Sequence, residues 1–276
     1  VVSHKDNLNK DITMSETYDT QTYVQYGQYQ PYYINGFGIS NDATTPNTLL
    51  DIAPGSCLDS TGTFQLSTSS TIVINAAVNG LNGLDQGTFA ASTMYAVYLV
   101  WDPVTFNPTG AVISTSLTAP LMPFGYSAFL LIGYAPSDAS VHFLKGYWTA
   151  GNSTLRSFTY DAFQATAVTA GASTTYANVN LITLVPNVNN TPVSIFTNYS
   201  GNAAADTLRM QSGNGIGDQV IITAPVVTGT AHTTTLSNLL AQSVVISTVS
   251  SPVINYKVSS GSDAVAISVA GYTWFV

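Results

Sequence analysis

Tyr95-Ala-Val-Tyr-Leu-Val-Trp101 is the stretch that decides the fold. A strand with one face in water alternates apolar and polar side chains. This one is apolar or aromatic at both parities. Its aromatic and β-branched residues fit a pleated strand. The pattern predicts a central strand buried on both faces.

The flanks punctuate it as a β-protein would. Residues 79–87 (NGLNGLDQG) and 102–110 (DPVTFNPTG) are turn clusters, as are 40–47 (SNDATTPN), 53–62 (APGSCLDSTG), 119–125 (APLMPFG) and 135–140 (APSDAS). Between them, strands are predicted at 32–39, 49–52, 62–66, 70–76, 95–101, 110–114, 128–134 and 141–148. Past 160–165 the same style continues with fewer aromatics. There the predicted strands are 178–185, 191–199, 206–210, 219–223, 233–236, 243–248, 253–258 and 265–275. Short strands at near-regular spacing point to a sandwich or barrel. No segment sustains a capped helical period, and Ser237 to Gln242 is expected to form a single helical turn. No fixed-period repeat supports a solenoid or propeller. The expectation is an all-β chain of two successive β-sandwich, jelly-roll-like domains, 34–160 and 161–276. An extended arm, residues 1–33, precedes them.

Composition narrows the function. Only 7% of the 276 residues are charged, with six Lys and Arg against 14 Asp and Glu, for a net charge of -8. Six cations cannot neutralise a track of phosphates, which excludes a nucleic-acid partner. The same deficit disfavours an anionic membrane surface. No run reaches the roughly 18 apolar residues of a membrane span, so no membrane insertion is expected. Disorder is not the reason for the low charge, because the chain holds 16 Tyr, 11 Phe and 3 Trp. Hydroxyls and amides stand where charges usually do, as in fibres, adhesins and viral surface proteins. The single cysteine, Cys57, makes no intrachain disulfide and reads as a small buried residue.

The arm is Tyr- and Gln-rich. Tyr18, Tyr23, Tyr26, Tyr29, Tyr32 and Tyr33 are often three residues apart, which suits an extended or polyproline-like segment. These tyrosines are the candidate docking residues for a neighbouring subunit or another protein. A tail packed on its own domain is the competing reading.

Residues for catalysis are scarce. His4, His142 and His232 are far apart, and no Gly-x-Ser-x-Gly elbow occurs. His142, between Val141 and Phe143, reads as a structural histidine. Asp42, Asp51, Asp59 and Asp85 are the carboxylates to weigh. Asx-turns are the first reading, a calcium site the second and a glycosidase pair the third. The stretch Gly213 to Asp218 reads as a glycine loop between strands, since it lacks dinucleotide spacing. No catalytic, cofactor or metal residue is assigned, and the chain is expected not to be an enzyme.

Residues 34–62, INGFGISNDATTPNTLLDIAPGSCLDSTG, resemble a segment of structural proteins of tailed bacteriophages, of the fibre-associated or virion-surface kind. Further similar pieces are Gly83-Leu-Asp-Gln-Gly87, Thr93 to Tyr98, Ala119 to Tyr126 and Ile132-Gly133. The likeness spans about Ile34 to Tyr160. The family often has Arg-Arg before its Ile-Gly pair, whereas this chain has Leu130-Leu131. The resemblance implies a virion component, with no known catalytic site. The expected function is a non-enzymatic fibre or surface protein for assembly and host attachment, on the outer surface of the particle. The alternatives are a capsid decoration protein clamping capsomers, a glycan-degrading tailspike, or a secreted bacterial adhesin. Expected partners are further copies of itself as a homotrimer, other virion proteins through the arm, and host surface glycan.

An interface built by six cations contains few ion pairs, and each surface pair is worth only about 0–1 kcal/mol. Association therefore rests on apolar and aromatic burial. The isolated protein should sediment as a trimer equally at low and high salt. Dissociation on raising salt, or a monomer throughout, contradicts this.

Overall fold

A computed structural model gives the fold. It describes residues 33–104, 108–149, 155–161, 166–188, 191–201, 203, 205–213, 220–223, 234–246 and 252–276. The protein is all-β, with no helix among the described residues.

The strands in chain order are β1 (Ile34–Gly36), β2 (Ile39–Asn41), β3 (Leu49–Ile52), β4 (Gly55–Leu58), β5 (Gln65–Thr68), β6 (Ile72–Asn75), β7 (Gly83–Leu84), β8 (Met94–Trp101), β9 (Gly110–Ser114) and β10 (Ala128–Pro136). They continue with β11 (Gly146–Trp148), β12 (Leu155–Tyr160), β13 (Thr166–Gly171), β14 (Ala177–Asn180), β15 (Thr191–Gly201), β16 (Thr207–Ser212), β17 (Val220–Thr223), β18 (Thr234–Ile246), β19 (Val253–Val258) and β20 (Ala264–Phe275). Five sheets result, in the orders β1-β4-β5, β2-β3-β6, β10-β8-β9-β7, β11-β12-β20-β15-β18 and β14-β19-β16-β17. Strand β13 also pairs with β20.

Every residue of β8 is buried, as the quoted stretch predicts. Successive side chains leave a strand on opposite faces. Tyr95, Val97, Leu99 and Trp101 enter one hydrophobic cluster, with Phe37 from the β1–β2 connection and Leu50, Ile52 and Ile74 from β3 and β6. Met94, Ala96, Tyr98 and Val100 enter another, with Ile195, Met210, Ile254, Ile267 and Tyr272 from the strands after β14. The β8 sheet thus carries a core on each face. The buried phenols keep partners: Tyr98 donates to the Ser116 carbonyl at 2.9 Å, and Tyr95 accepts from Ala90 N–H at 2.8 Å.

A bulge in β10 retunes this arrangement. Leu131 lies opposite Tyr98 and Gly133 opposite Val97, which leaves Ile132 as the extra residue. One extra residue reverses the parity of all that follow. Tyr134 consequently faces the second cluster, edge-on to Trp274 at 5.6 Å. Gly133 lets Ile39 pack close, since a Cβ there would lie 2.6 Å from the Ile39 Cδ1 and would displace that side chain.

The expected strands 49–52, 110–114 and 253–258 occur with those bounds. Other expectations are corrected. Ser237 to Gln242 is strand rather than a helical turn, because β18 pairs along β15 from Gly201 to Thr191. Residues 141–148 are strand only from Gly146. Val141 takes φ 63° in a turn where the Asp138 carboxylate accepts from Ser140 and His142 N–H. The cluster APGSCLDSTG hides β4, whose Cys57 is buried opposite Ile34 and Leu66. Strands β12 and β13, on either side of the expected boundary at 160–165, pair with the same strand, β20.

Leu99 is fully buried at the centre of β8. Leu99→Ala should cost about 2–5 kcal/mol by lost transfer energy and a residual cavity. Val104→Ala, at a residue exposed in the following turn, should be neutral in the same urea titration.

Candidate functional site

The six-stranded sheet contains a concavity. Strands β12 and β13 run in the same direction along one edge of β20, one after the other. Pairing with β12 ends at Gly271, and pairing with β13 begins at Ser268. Val269 and Ala270 therefore face the gap between the two strand ends. On its other edge β20 bulges at Ala270, since β15 matches Ser194 to Gly271 and Ile195 to Val269. Val269, Ala270 and Gly271 of β20 line a concavity here.

The resulting groove has a volume of about 450 Å³. Its rim presents the hydroxyls of Ser157 and Thr159 from β12, Ser194 from β15 and Thr273 from β20. Phe196 supplies an aromatic wall, and Gly271 gives the floor no side chain. A Cβ at Gly271 would come 2.2 Å from the Phe158 carbonyl oxygen. Every described lining residue is uncharged. Below the floor lie Phe158, Tyr160 and Tyr272, ring against ring at 4.7 to 6.4 Å. Burial raises the Tyr160 and Tyr272 hydroxyls well above the ordinary phenol range.

Arg156 positions the β12 wall. It is 2% exposed, and its guanidinium donates to the Gly36 carbonyl at 2.6 Å and the Phe37 carbonyl at 2.9 Å. The Ile132 carbonyl stands at 3.5 Å. Its Nε has no partner. Burial brings the guanidinium down to about 10, so it stays charged at neutral pH. One side chain thus ties β12 to the β1–β2 connection and to the bulge of β10.

The candidate residues are dispersed. Asp42 accepts from the N–H groups of Thr44 and Thr45. Asp59, buried, accepts from Thr63 N–H at 2.7 Å, Phe64 N–H at 3.0 Å and the Thr61 hydroxyl at 2.7 Å. Asp85 accepts from Leu121 N–H at 2.9 Å. The bonds of Asp42 and Asp59 pin their own loops, whereas Asp85 ties its turn to a segment 36 residues further on. His142 lies 3.6 Å from Asp138, its partner within the same tight turn. Cys57 is buried and its thiol pushed up to about 12, which keeps it protonated. Leu130 and Leu131, at the Arg-Arg position of the resemblance, bury against the two cores. Of the arm tyrosines, Tyr33 bonds to Ser56 through its hydroxyl at 3.0 Å, and its carbonyl accepts from Leu58 N–H at 3.0 Å. Tyr18, Tyr23, Tyr26, Tyr29 and Tyr32 lie outside the described residues, as do His4, His232 and residues 214–218 of the glycine loop.

Sequence reasoning missed one pair of carboxylates. Ser259 Oγ lies 3.2 Å from Asp206 and 3.3 Å from Asp263. Asp263 also accepts from the Tyr199 hydroxyl and Ser260 N–H, both at 3.0 Å. Burial and this carboxylate push the Tyr199 phenol up. The pair closes two turns on each other through the Ser259 hydroxyl, with Ala203 N–H and Ser260 N–H as backbone donors. Among the described residues, no group of three or more His, Cys, Asp and Glu is placed to hold a metal ion. Comparison of the chain with protein-family models and with curated proteins finds no match.

Asp51 carries a pH prediction. Partial burial, then the charge of Asp42, raise its carboxyl above the ordinary 3.8. The folded state therefore holds the proton more tightly than the unfolded chain does. The charge at Asp51 opposes folding above that raised value, and the opposition fades as pH falls toward 3.8. Asp51→Asn should raise the urea midpoint at neutral pH and lose its advantage below pH 3.8. An advantage that persists in acid refutes this origin.

Proposed function

We propose that the chain is a non-enzymatic structural component of a tailed-bacteriophage virion, displayed on the outer surface as a fibre or surface protein for host attachment. The observation that carries this reading is the groove. Its hydroxyls and aromatic wall line a concave surface, and its described lining holds no His, Cys, carboxylate, Lys or Arg. Contact rather than turnover is what such a surface supports. The resemblance of residues 34–160 to virion-surface proteins points the same way.

The rest of the molecule is consistent with a surface role. Its described core is closed by apolar packing and by backbone carbonyls around Arg156, with a free buried cysteine. Little of that is sensitive to salt or to reductant. In this reading the copies form a homotrimer, and the Tyr-rich arm, residues 1–33, docks them onto other virion proteins.

A second placement, the capsid decoration protein, is favoured by one loop. Phe124 is 105% exposed and Leu121 is 56% exposed, on a segment held in place by the Asp85–Leu121 bond. A tethered loop with apolar tips suits a flat protein partner.

Antibody labelling of intact particles separates these placements. A fibre or surface protein should label at the tail or at distal projections, and the soluble protein should compete with particles for host adsorption. Labelling spread over the capsid lattice, without competition, supports decoration. Absence from particles overturns both.

A further inference from the structure

We infer that the second hydrophobic cluster is an alkali-sensitive joint, because Tyr98, Tyr160, Tyr199 and Tyr272 are buried in it with their hydroxyls committed as donors. Ionisation of these phenols undoes the cluster as a unit. The inference goes beyond the attachment reading and does not depend on it.

The cluster lies where three sheets meet. Tyr98 comes from β8, Tyr160 from β12, Tyr199 from β15 and Tyr272 from β20, and side chains of β16 and β19 complete it. Tyr98 donates to the Ser116 carbonyl at 2.9 Å and Tyr160 to the Leu184 carbonyl at 2.5 Å. Tyr199 donates to the Asp263 carboxylate at 3.0 Å, and Tyr272 to the Met94 sulfur at 3.8 Å. Carbonyls, a carboxylate and a thioether have no proton to give back. A phenolate in any of these places loses its bond and meets a lone pair or a negative charge instead. Water offers little relief, since the four side chains are at most 6% exposed.

The neighbouring titratable groups act in the same direction. Tyr134 of β10 and Asp85 act on Tyr98, Tyr160 and Tyr134 act on Tyr272, and Asp263 and Asp206 act on Tyr199. All of them are acids. Burial first, and then these acids, hold Tyr98, Tyr199 and Tyr272 above the ordinary phenol value of 10, with the Ser259 hydroxyl opposing in part at Tyr199. Burial does the same for Tyr160, and it pushes Tyr134 up to about 12. The folded state therefore binds these protons more tightly than the unfolded chain does. The stability they contribute is complete below pH 10 and is lost as pH rises above it. The first cluster differs. Its buried tyrosine, Tyr95, accepts Ala90 N–H at 2.8 Å, a bond that a phenolate keeps and that offsets part of the effect of burial.

The test is urea unfolding of the full chain from about pH 8 to 11.5, with far-ultraviolet circular dichroism and phenolate absorbance read together. The slope of stability against pH counts the protons that unfolding releases. In strong alkali the wild type should release roughly three or more. Tyr272→Phe and Tyr98→Phe should each lower that count by about one. Tyr95→Phe should lower it less, and Tyr147→Phe, at an exposed residue, should leave it unchanged. A uniform loss of stability moves the whole curve and not its slope, so a variant weakened at neutral pH stays informative. Tyr98→Phe serves if Tyr272→Phe does not fold. The inference is overturned if Tyr272→Phe and Tyr98→Phe keep the wild-type slope, or if Tyr95→Phe or Tyr147→Phe lowers it as much as they do. It is also overturned if all 16 tyrosines ionise while the strand signal persists.

Discussion

The two-faced burial of Met94–Trp101 is the constraint on which the rest of this structure depends. A strand with a core on each face cannot shift by one residue without exchanging every large side chain between the cores. Tyr98 and Leu99 are neighbours in sequence, yet they belong to different clusters. The register of β8 against β9 and β10 therefore fixes both halves of the described fold at once. The bulge at Ile132 is the adjustment this demands. Before it, Leu130 packs on the Leu99 side; after it, Tyr134 packs on the Ala96 side and reaches Trp274.

Arg156 makes a second, polar link of the same kind. Burying a cation is costly unless its donors are met, and here backbone carbonyls meet the two terminal nitrogens instead of a carboxylate, while Nε is left without a partner. The link is directional, because a planar fork must meet several oxygens together. It holds β12 in place, and β12 carries two of the four hydroxyls at the groove. The geometry of an exposed surface thus depends on a charge that no solvent reaches.

Much of the fold was legible because its signals are local. Tyr95 to Trp101, Leu49 to Ile52 and Val253 to Val258 announce themselves by periodicity and by the turns beside them. Strand β4 was hidden in a Gly-Ser-Cys stretch that reads as a turn until Ile34 and Leu66 flank it. Strands β12 and β13 were hidden because what makes them strands is β20, remote in sequence. The groove was illegible for a related reason. It is lined by β12, β15 and β20 together, which no one-dimensional pattern places side by side. The loop aspartates Asp42 and Asp59 were legible as turn formers, while the bond from Leu121 to Asp85 and the contact between Asp206 and Asp263 through Ser259 needed the fold to bring distant segments together.

The position of β20 has a consequence for how the chain is made. Phe158 lies opposite Tyr272, more than a hundred residues further along, and β15 waits for the same strand. A ribosome delivers residues in order, at roughly 5–20 per second, so β12, β13 and β15 emerge well before the strand that unites them. During that interval their edges are open to any neighbour, including identical nascent chains on the same message. The few charges near those edges offer little repulsion to discourage such pairing. Completion of the six-stranded sheet is thus a late event, set by translation as much as by intrinsic folding speed.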